Sequence, residues 1–275
     1  MESPADPRFV PPPPPGGFDL VRRPVPPSIA RWVADAIHYR ERAPGIFRQV
    51  ETASLVVPLV ISFGTPFSIA LGREPDAADG FGSFTSGLFA GPVFIRSAGT
   101  AECVQVNFTP LGAWRFFGLP MSELAGAMVA VDDLGDAELR DLRRRLGELD
   151  SVEARLDLAL RTVERRLLAA PEIDPAVEAA WQWLAARHGD IRIDRLAARL
   201  DWSRKHLAAR FRAATGVPPK TLARIMRFGR AQALARSGED WAGIAAACGY
   251  ADQAHLAREF AELAGQTPTE WRLAA

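Results

Sequence analysis

Few side chains in this 275-residue sequence are placed to do covalent or metal chemistry. The two thiols, Cys103 and Cys248, are too few for a disulfide framework or a cysteine metal cluster, and they read as reduced, buried residues. A reactive thiol needs a cationic neighbour to lower its pKa, and Cys103 has Glu102 instead. A thiol sensor or alkyl acceptor at Cys103 is therefore a minor reading. His38 is the only histidine of the N-terminal half, and no second metal ligand stands at a helical or strand spacing from it. The sequence contains no G-x-S-x-G elbow, P-loop or dinucleotide fingerprint. The expectation is a protein that is not an enzyme, with no catalytic residue, no metal and no cofactor.

What remains is binding chemistry, and the charge distribution suggests where it lies. The formal net charge is zero, yet the segment from 186 onward carries +6 and the segment before it −6. A basic part joined to an acidic one points to a polyanion partner for one half only. With 48% apolar and 24% charged residues the chain has ordinary globular composition and can bury a core. No apolar run approaches the roughly 20 residues that span a bilayer, and MESPADPRFV has no apolar signal core. A cytoplasmic protein without a membrane partner is expected. Abundant Ala and Arg beside only two Lys suggests a GC-rich bacterial genome.

Residues 1–27, with the run Pro11 to Pro15, read as a flexible proline-rich arm. The pattern SIARWVADAIHY then sets Ile29, Trp32, Val33, Ala36 and Ile37 on one face of a short helix. Strands are expected in SLVVPLVISF, FSIALG, SFTSGLF, PVFIRS and ECVQVNF, which Gly, Pro and Asp separate. In the last, Val104, Val106 and Phe108 alternate with Gln105 and Asn107, as in a half-buried strand. PLGAWRFFGLP reads as a helix with Pro110 at its start and Gly118 behind its end. Two helical stripes follow: Leu139, Leu142, Leu146, Leu149, then Val152, Leu156, Leu160, Val163, Leu167. Such a stripe either packs on its own domain or forms a homodimer seam. Residues 28–170 thus form a mainly β domain with flanking helices. Its aromatic residues Phe63, Phe67, Phe84, Phe89, Phe94, Trp114 and Phe116 are either core or the lining of a pocket for an apolar effector. Gln105, Asn107 and Arg96 would supply that pocket's polar contacts, or else face solvent.

Residues 172–275 read as all helical, making the fold class α+β. Asp174 and Pro175 are an N-cap and first-position pair for a helix burying Val177, Ala180, Trp181 and Leu184. IRIDRLAARLDWSRKHLAARF holds two short helices about a tight turn. Leu196, Ala197 and Leu200 bury the first, Leu207 and Phe211 the second, and Asp201 takes the unusual backbone angles of the turn. The arrangement returns in WAGIAAACGYADQAHLAREF, where Gly249 makes the turn and Leu256 and Phe260 repeat the Leu207 and Phe211 spacing. TLARIMRFGRAQALAR is a longer helix between the two units.

These motifs, with RFGRAQALA and the closing TPTEWR, resemble the DNA-binding domain of AraC/XylS-type transcription regulators. The resemblance implies two helix-turn-helix units whose recognition helices enter successive major-groove segments about one turn, roughly 34 Å, apart. It implies base contacts from Arg204, Lys205, His206, Ala208 and Ala209 in the first unit, and from Gln253, Ala254, His255 and Arg258 in the second. Gln pairs bidentately with adenine, and Arg or Lys with guanine, whereas two alanines read little beyond thymine methyls. Phosphate contacts are expected from Ser203, Arg210, Arg212, Lys220, Arg224, Arg227 and Asp252. Pro218 stands where a capping Ser is usual before the central helix. The segments VPLVISFG, FTSGLFAGPVFIRSAGTAECVQVNFTPLGAWRFFGLP and ELAGAMVAVDDL more loosely resemble an N-terminal domain found in a subset of AraC-type proteins. The expected partners are double-stranded DNA and, through the other half, a small-molecule effector, a second copy of the chain or RNA polymerase. An N-terminal domain that serves assembly alone is the alternative.

Overall fold

The computed structural model describes residues 17–42 and 45–274. Among the described residues, ten strands occupy the N-terminal half: β1 (Phe18–Arg23), β2 (Val33–Glu41), β3 (Phe47–Glu51), β4 (Val57–Ser62), β5 (Phe67–Leu71), β6 (Gly80–Phe81), β7 (Phe84–Ser86), β8 (Val93–Ser97), β9 (Glu102–Phe108) and β10 (Met128–Ala130). They make two antiparallel sheets, one ordered β1-β2-β9-β4-β7-β10 and the other β3-β8-β5-β6. Helix α1 (Pro110–Phe117) follows β9, with Thr109 as its N-cap and Gly118 closing it. Helices α2 (Ala137–Gly147) and α3 (Val152–Ala169) come after β10.

Alternation along β9 places Val104, Val106 and Phe108 on one face, packed with Val57, Leu59 and Ile61 of β4 in the main core. Helices α1 and α3 cover that face. The opposite face is not solvated, because the second sheet lies over it. Asn107 is 1% exposed and Cys103 2% exposed, the latter packed with Val60, Phe67 and Phe84.

The pattern from Ser28 is not a helix. Residues 27–32 form turns, with Trp32 N–H donating to Ile29 O, and the chain then runs straight into β2. The apolar spacing arises from a turn followed by a strand. Pairing with β1 on one side and β9 on the other decides the outcome, since two ladders outweigh a short helical pattern. The expected arm is likewise corrected over its last part: FDLVRR forms β1, with Phe18 opposite Glu41 and Arg23 opposite Ala36. Residues 1–16, including the proline run, lie outside the described residues.

Leu139, Leu142, Leu146, Leu156, Leu160, Val163 and Leu167 are all buried within the chain, so the stripes on α2 and α3 are occupied internally. Each such side chain contributes about 1.5–3 kcal/mol. No described helix is long and apolar enough to cross a membrane.

The C-terminal part contains α4 (Pro175–Ala186), α5 (Ile193–Arg199), α6 (Arg204–Thr215), α7 (Pro219–Arg236), α8 (Trp241–Ala247), α9 (Gln253–Ala264) and α10 (Pro268–Ala274). Asp201 between α5 and α6 has φ +53°, and Gly249 between α8 and α9 has φ +71°, the left-handed conformation each tight turn requires. The two units do not share one core. Helix α6 packs against α1 and the 3-10 turn Met121–Glu123, and its Leu207 and Phe211 belong to the cluster that begins at Ile29. Gly216, which ends α6 at φ +85°, lies so close that a Cβ would stand 2.9 Å from Met121 O. The second unit has a separate cluster of Phe228, Ile244, Leu256, Phe260, Leu263 and Trp271, to which Ala53 also belongs.

Candidate nucleic-acid interface and inter-sheet cavity

The two reading helices begin alike. Ser203 caps α6 by accepting from the His206 amide at 3.1 Å, and Asp252 caps α9 by accepting from the His255 amide at 2.6 Å. Each histidine stands edge-on to the aromatic residue of the preceding turn, His206 to Trp202 at 4.6 Å and His255 to Tyr250 at 5.3 Å between ring centres. The repeat reads HLAARF at 206–211 and HLAREF at 255–260. Arg258 therefore occupies the position of Ala209, and Glu259 that of Arg210.

Arg204, Lys205, His206 and Ala209 are exposed on α6, and Ala208 is half-buried. On α9, Gln253, Ala254 and Arg258 are exposed and His255 is half-buried. The expected base readers thus share the outward face of each helix, clear of the buried Leu207, Phe211, Leu256 and Phe260. Between the units lies a groove of about 580 Å³ lined by Arg192, Lys220, Arg224, Arg227, His255 and Arg258, with Glu259 and Glu262 among them. Its cations suit a phosphate backbone.

The expected phosphate contacts divide. Arg212 and Lys220 are exposed. Arg210 donates to Asp174 Oδ2 at 2.6 Å, which ties α6 to α4. Arg224 donates through Nε to Glu259 at 3.0 Å and also to Glu262, and Arg227 donates to Glu259 at 3.3 Å. Glu259 is 5% exposed and also accepts from the Tyr250 hydroxyl at 3.0 Å. Burial, with the Glu259 charge beside it, pushes the Tyr250 phenol pKa up, so this hydroxyl remains a donor. Glu259 thereby clamps the second reading helix to α7, a role the sequence reading missed. The available signal was an acid inside the buried stripe Leu256, Phe260, Leu263, at the repeat position where the first unit has Arg210.

A cavity of about 130 Å³ lies between the two sheets. Val60, Ile69, Phe84 and Phe89 give it an apolar wall, and Asp35, Glu51, Gln105 and Asn107 a polar one. Gln105 Nε2 donates to Asn107 Oδ1 at 2.8 Å, and Asn107 Nδ2 donates to Asp35 Oδ1 at 2.6 Å. Arg22 donates to the other oxygen of Asp35 at 2.7 Å. Of the aromatic residues expected at a pocket, Phe84 and Phe89 line this one, whereas Phe63, Phe67, Phe94, Trp114 and Phe116 do not. Arg96 points away to Glu74 at 3.7 Å and the Pro75 carbonyl. Below Glu51 the chain meets the second unit: Gln232 of α7 donates to Thr52 Oγ1 at 3.0 Å, and Ala53 N–H donates to Leu263 O at 2.8 Å.

Cys103 and His38 are both held in the core. Burial first, then the charges of Glu41 and Glu102, push the Cys103 thiol up to about 12. A buried thiol shifted this way is a poor nucleophile at neutral pH, which argues against the thiol-sensor reading. Iodoacetamide at pH 8 is expected to modify native Cys103 no faster than the protein unfolds, as read by mass spectrometry against the unfolding rate. Modification faster than unfolding would restore a thiol role. His38 is 1% exposed, with Nε2 3.0 Å from Glu102, and Arg155 also reaches Glu102 at 2.5 Å. Burial lowers the His38 pKa, so it is a neutral core residue.

Residues 196–274 match the family described as "Helix-turn-helix domain". No curated protein matches the chain. Among solved structures, ToxT from Vibrio cholerae O395 is similar at 12% identity and TM-score 0.45, covering 84% of this chain and 96% of that one. Unsaturated fatty acid bound wild-type ToxT from Vibrio cholerae strain SCE256 is similar at 12% identity and TM-score 0.44, covering 84% and 97%. The AraC-like transcriptional activator CuxR is similar at 13% identity and TM-score 0.30, covering 80% and 86%. Two tight-turned helix pairs joined by α7 and matched over 196–274 make the C-terminal part an AraC-type helix-turn-helix domain.

Proposed function

We propose that the protein is a sequence-specific, non-catalytic regulator whose DNA binding is set by a small molecule held between its two sheets. The observation that carries this reading is continuity. The cavity wall at Glu51 runs directly into Thr52 and Ala53, which bond to α7 and α9 of the second reading unit. A ligand shifts DNA binding only by favouring one arrangement of that junction over another. Arg204, Lys205, Gln253, His255 and Arg258 read bases, and Arg212 and Lys220 hold phosphates. Ser203 and Asp252 act through the helix ends they cap, and Arg224 and Arg227 through Glu259.

Selection from a random DNA pool by the full chain tests the DNA half of this reading. The expected product is one site with two short motifs about one helical turn apart. The motif under α9 is expected to be the more sharply defined, because Arg258 stands where α6 has only Ala209. Arg258→Ala, carried through the same selection, is expected to weaken the selected site by roughly 1–3 kcal/mol and to relax one base position. An unchanged site preference removes Arg258 from the reading set, and no enrichment by folded full-length protein overturns the DNA assignment.

A further inference from the structure

The geometry points to a small organic cation, a primary ammonium on a compact apolar body, as the ligand of the inter-sheet cavity. This rests on the reading of that cavity as the effector site. Size sets the first limit: 130 Å³ is close to the roughly 150 Å³ cavity that holds a benzene, so the ligand has about six to ten heavy atoms. Val60, Ile69 and Phe84 offer its body an apolar wall.

Polarity sets the second limit. Among the described residues, no lysine, arginine or histidine lines the cavity, whereas two carboxylates do. Asp35 is already paired with Arg22 and accepts from the amide of Asn107 on its other oxygen. Because each amide in the row donates toward Asp35, Gln105 at its other end leaves its carbonyl oxygen to accept from a ligand. Among the described residues, Glu51 has only the Gln49 amide, at 3.4 Å, and no cationic partner. Burial pushes its pKa up, the response of a carboxyl group enclosed without a counter-charge. The cavity thus presents acceptors and an uncompensated carboxylate, so an ammonium donating to Glu51 and Gln105 satisfies both. A ligand carboxylate would meet Glu51 as a like charge.

The site adjoins the second reading unit. A ligand bonded to Glu51 holds the residue immediately before the Thr52–Gln232 and Ala53–Leu263 bonds.

The test is thermal shift and calorimetry on the full-length protein with amines, alcohols and carboxylates of this size, headed by benzylamine, benzyl alcohol and benzoate. Benzylamine is expected to raise the melting temperature and to bind at least about tenfold more tightly than benzyl alcohol, and benzoate to do neither. Glu51→Gln, which keeps the shape, is expected to lower benzylamine affinity roughly ten- to a hundred-fold, the range of a charge-assisted hydrogen bond. Gln105→Leu, with Glu51 intact, is expected to lower it severalfold and serves if the first variant folds poorly. Benzoate binding as tightly as benzylamine, or full benzylamine affinity in both variants, overturns the cationic assignment and leaves the cavity's effector role standing. Absence of binding by every amine, alcohol and carboxylate overturns both.

Discussion

Replacing Glu259 with alanine is expected to lower the stability of the full chain by about 2–3 kcal/mol and to steepen the salt dependence of its DNA binding. Removing one partner of a fully buried ion pair costs about 3–5 kcal/mol, because the other charge is left uncompensated. The Glu259 side chain is 6% exposed, but those of Arg224 at 28% and Arg227 at 20% border the groove and reach water, which places the expected loss below that range. The Tyr250 hydroxyl loses its acceptor as well and adds to the cost. Arg227 then loses its carboxylate while Arg224 keeps Glu262, and each further phosphate these arginines reach adds about 0.9 to the salt slope. Urea denaturation and DNA titration at two salt concentrations give both quantities. A stability change below about 1 kcal/mol, or an unaltered slope, would deny Glu259 its clamping role. Glu259→Gln separates charge from shape: it keeps an acceptor for Tyr250 and is expected to recover part of the stability while keeping the steeper slope.

The helical half was legible because its signals are local. Asp174 with Pro175, Asp201 and Gly249 each act within four residues of themselves, and every one occupies the cap or turn expected of it. Pro218 was legible too as a departure: it precedes α7 with no side-chain cap bond. The β half was harder to read because its decisive contacts are remote in sequence. β2 became a strand through β9, about seventy residues away, against its own helical spacing. β1 was hidden by the prolines around it. Gln105 and Asn107 were visible as the polar side of an alternating strand, but whether that side meets water or a second sheet depends on β3, β5 and β8. Arg224 and Arg227 show the same limit at the interface. Their type and spacing suit phosphate, and only the fold brings Glu259 to them.

Phe211→Ala is expected to cost roughly 3–5 kcal/mol and to loosen the N-terminal half together with the first reading unit. Phe211 is 0% exposed and lies in the cluster that runs from Ile29 through Met121 to Met226, so its ring belongs to a core both halves share. Helix α6 rests on α1 and on the turn at Met121–Glu123, and Gly216 lets the two backbones touch. A cavity made there weakens sheet-side packing as directly as helix packing. Cys103 in β9 is a built-in reporter, because its burial restricts alkylation to opened molecules. At about 1.4 kcal/mol per factor of ten, Phe211→Ala should speed Cys103 modification roughly a hundred- to several-thousand-fold when opening is in rapid equilibrium. Loss of the helical transition with Cys103 modification unchanged would show instead that the halves unfold separately. Leu263→Ala, in the second cluster, is the matched comparison: that cluster meets the N-terminal half at its edge, at Ala53, Leu55 and Ala90. It is expected to destabilise the second unit while moving the Cys103 rate less than Phe211→Ala does. A larger effect from Leu263 would mean that the junction at Thr52 and Ala53, rather than the shared core, couples the halves.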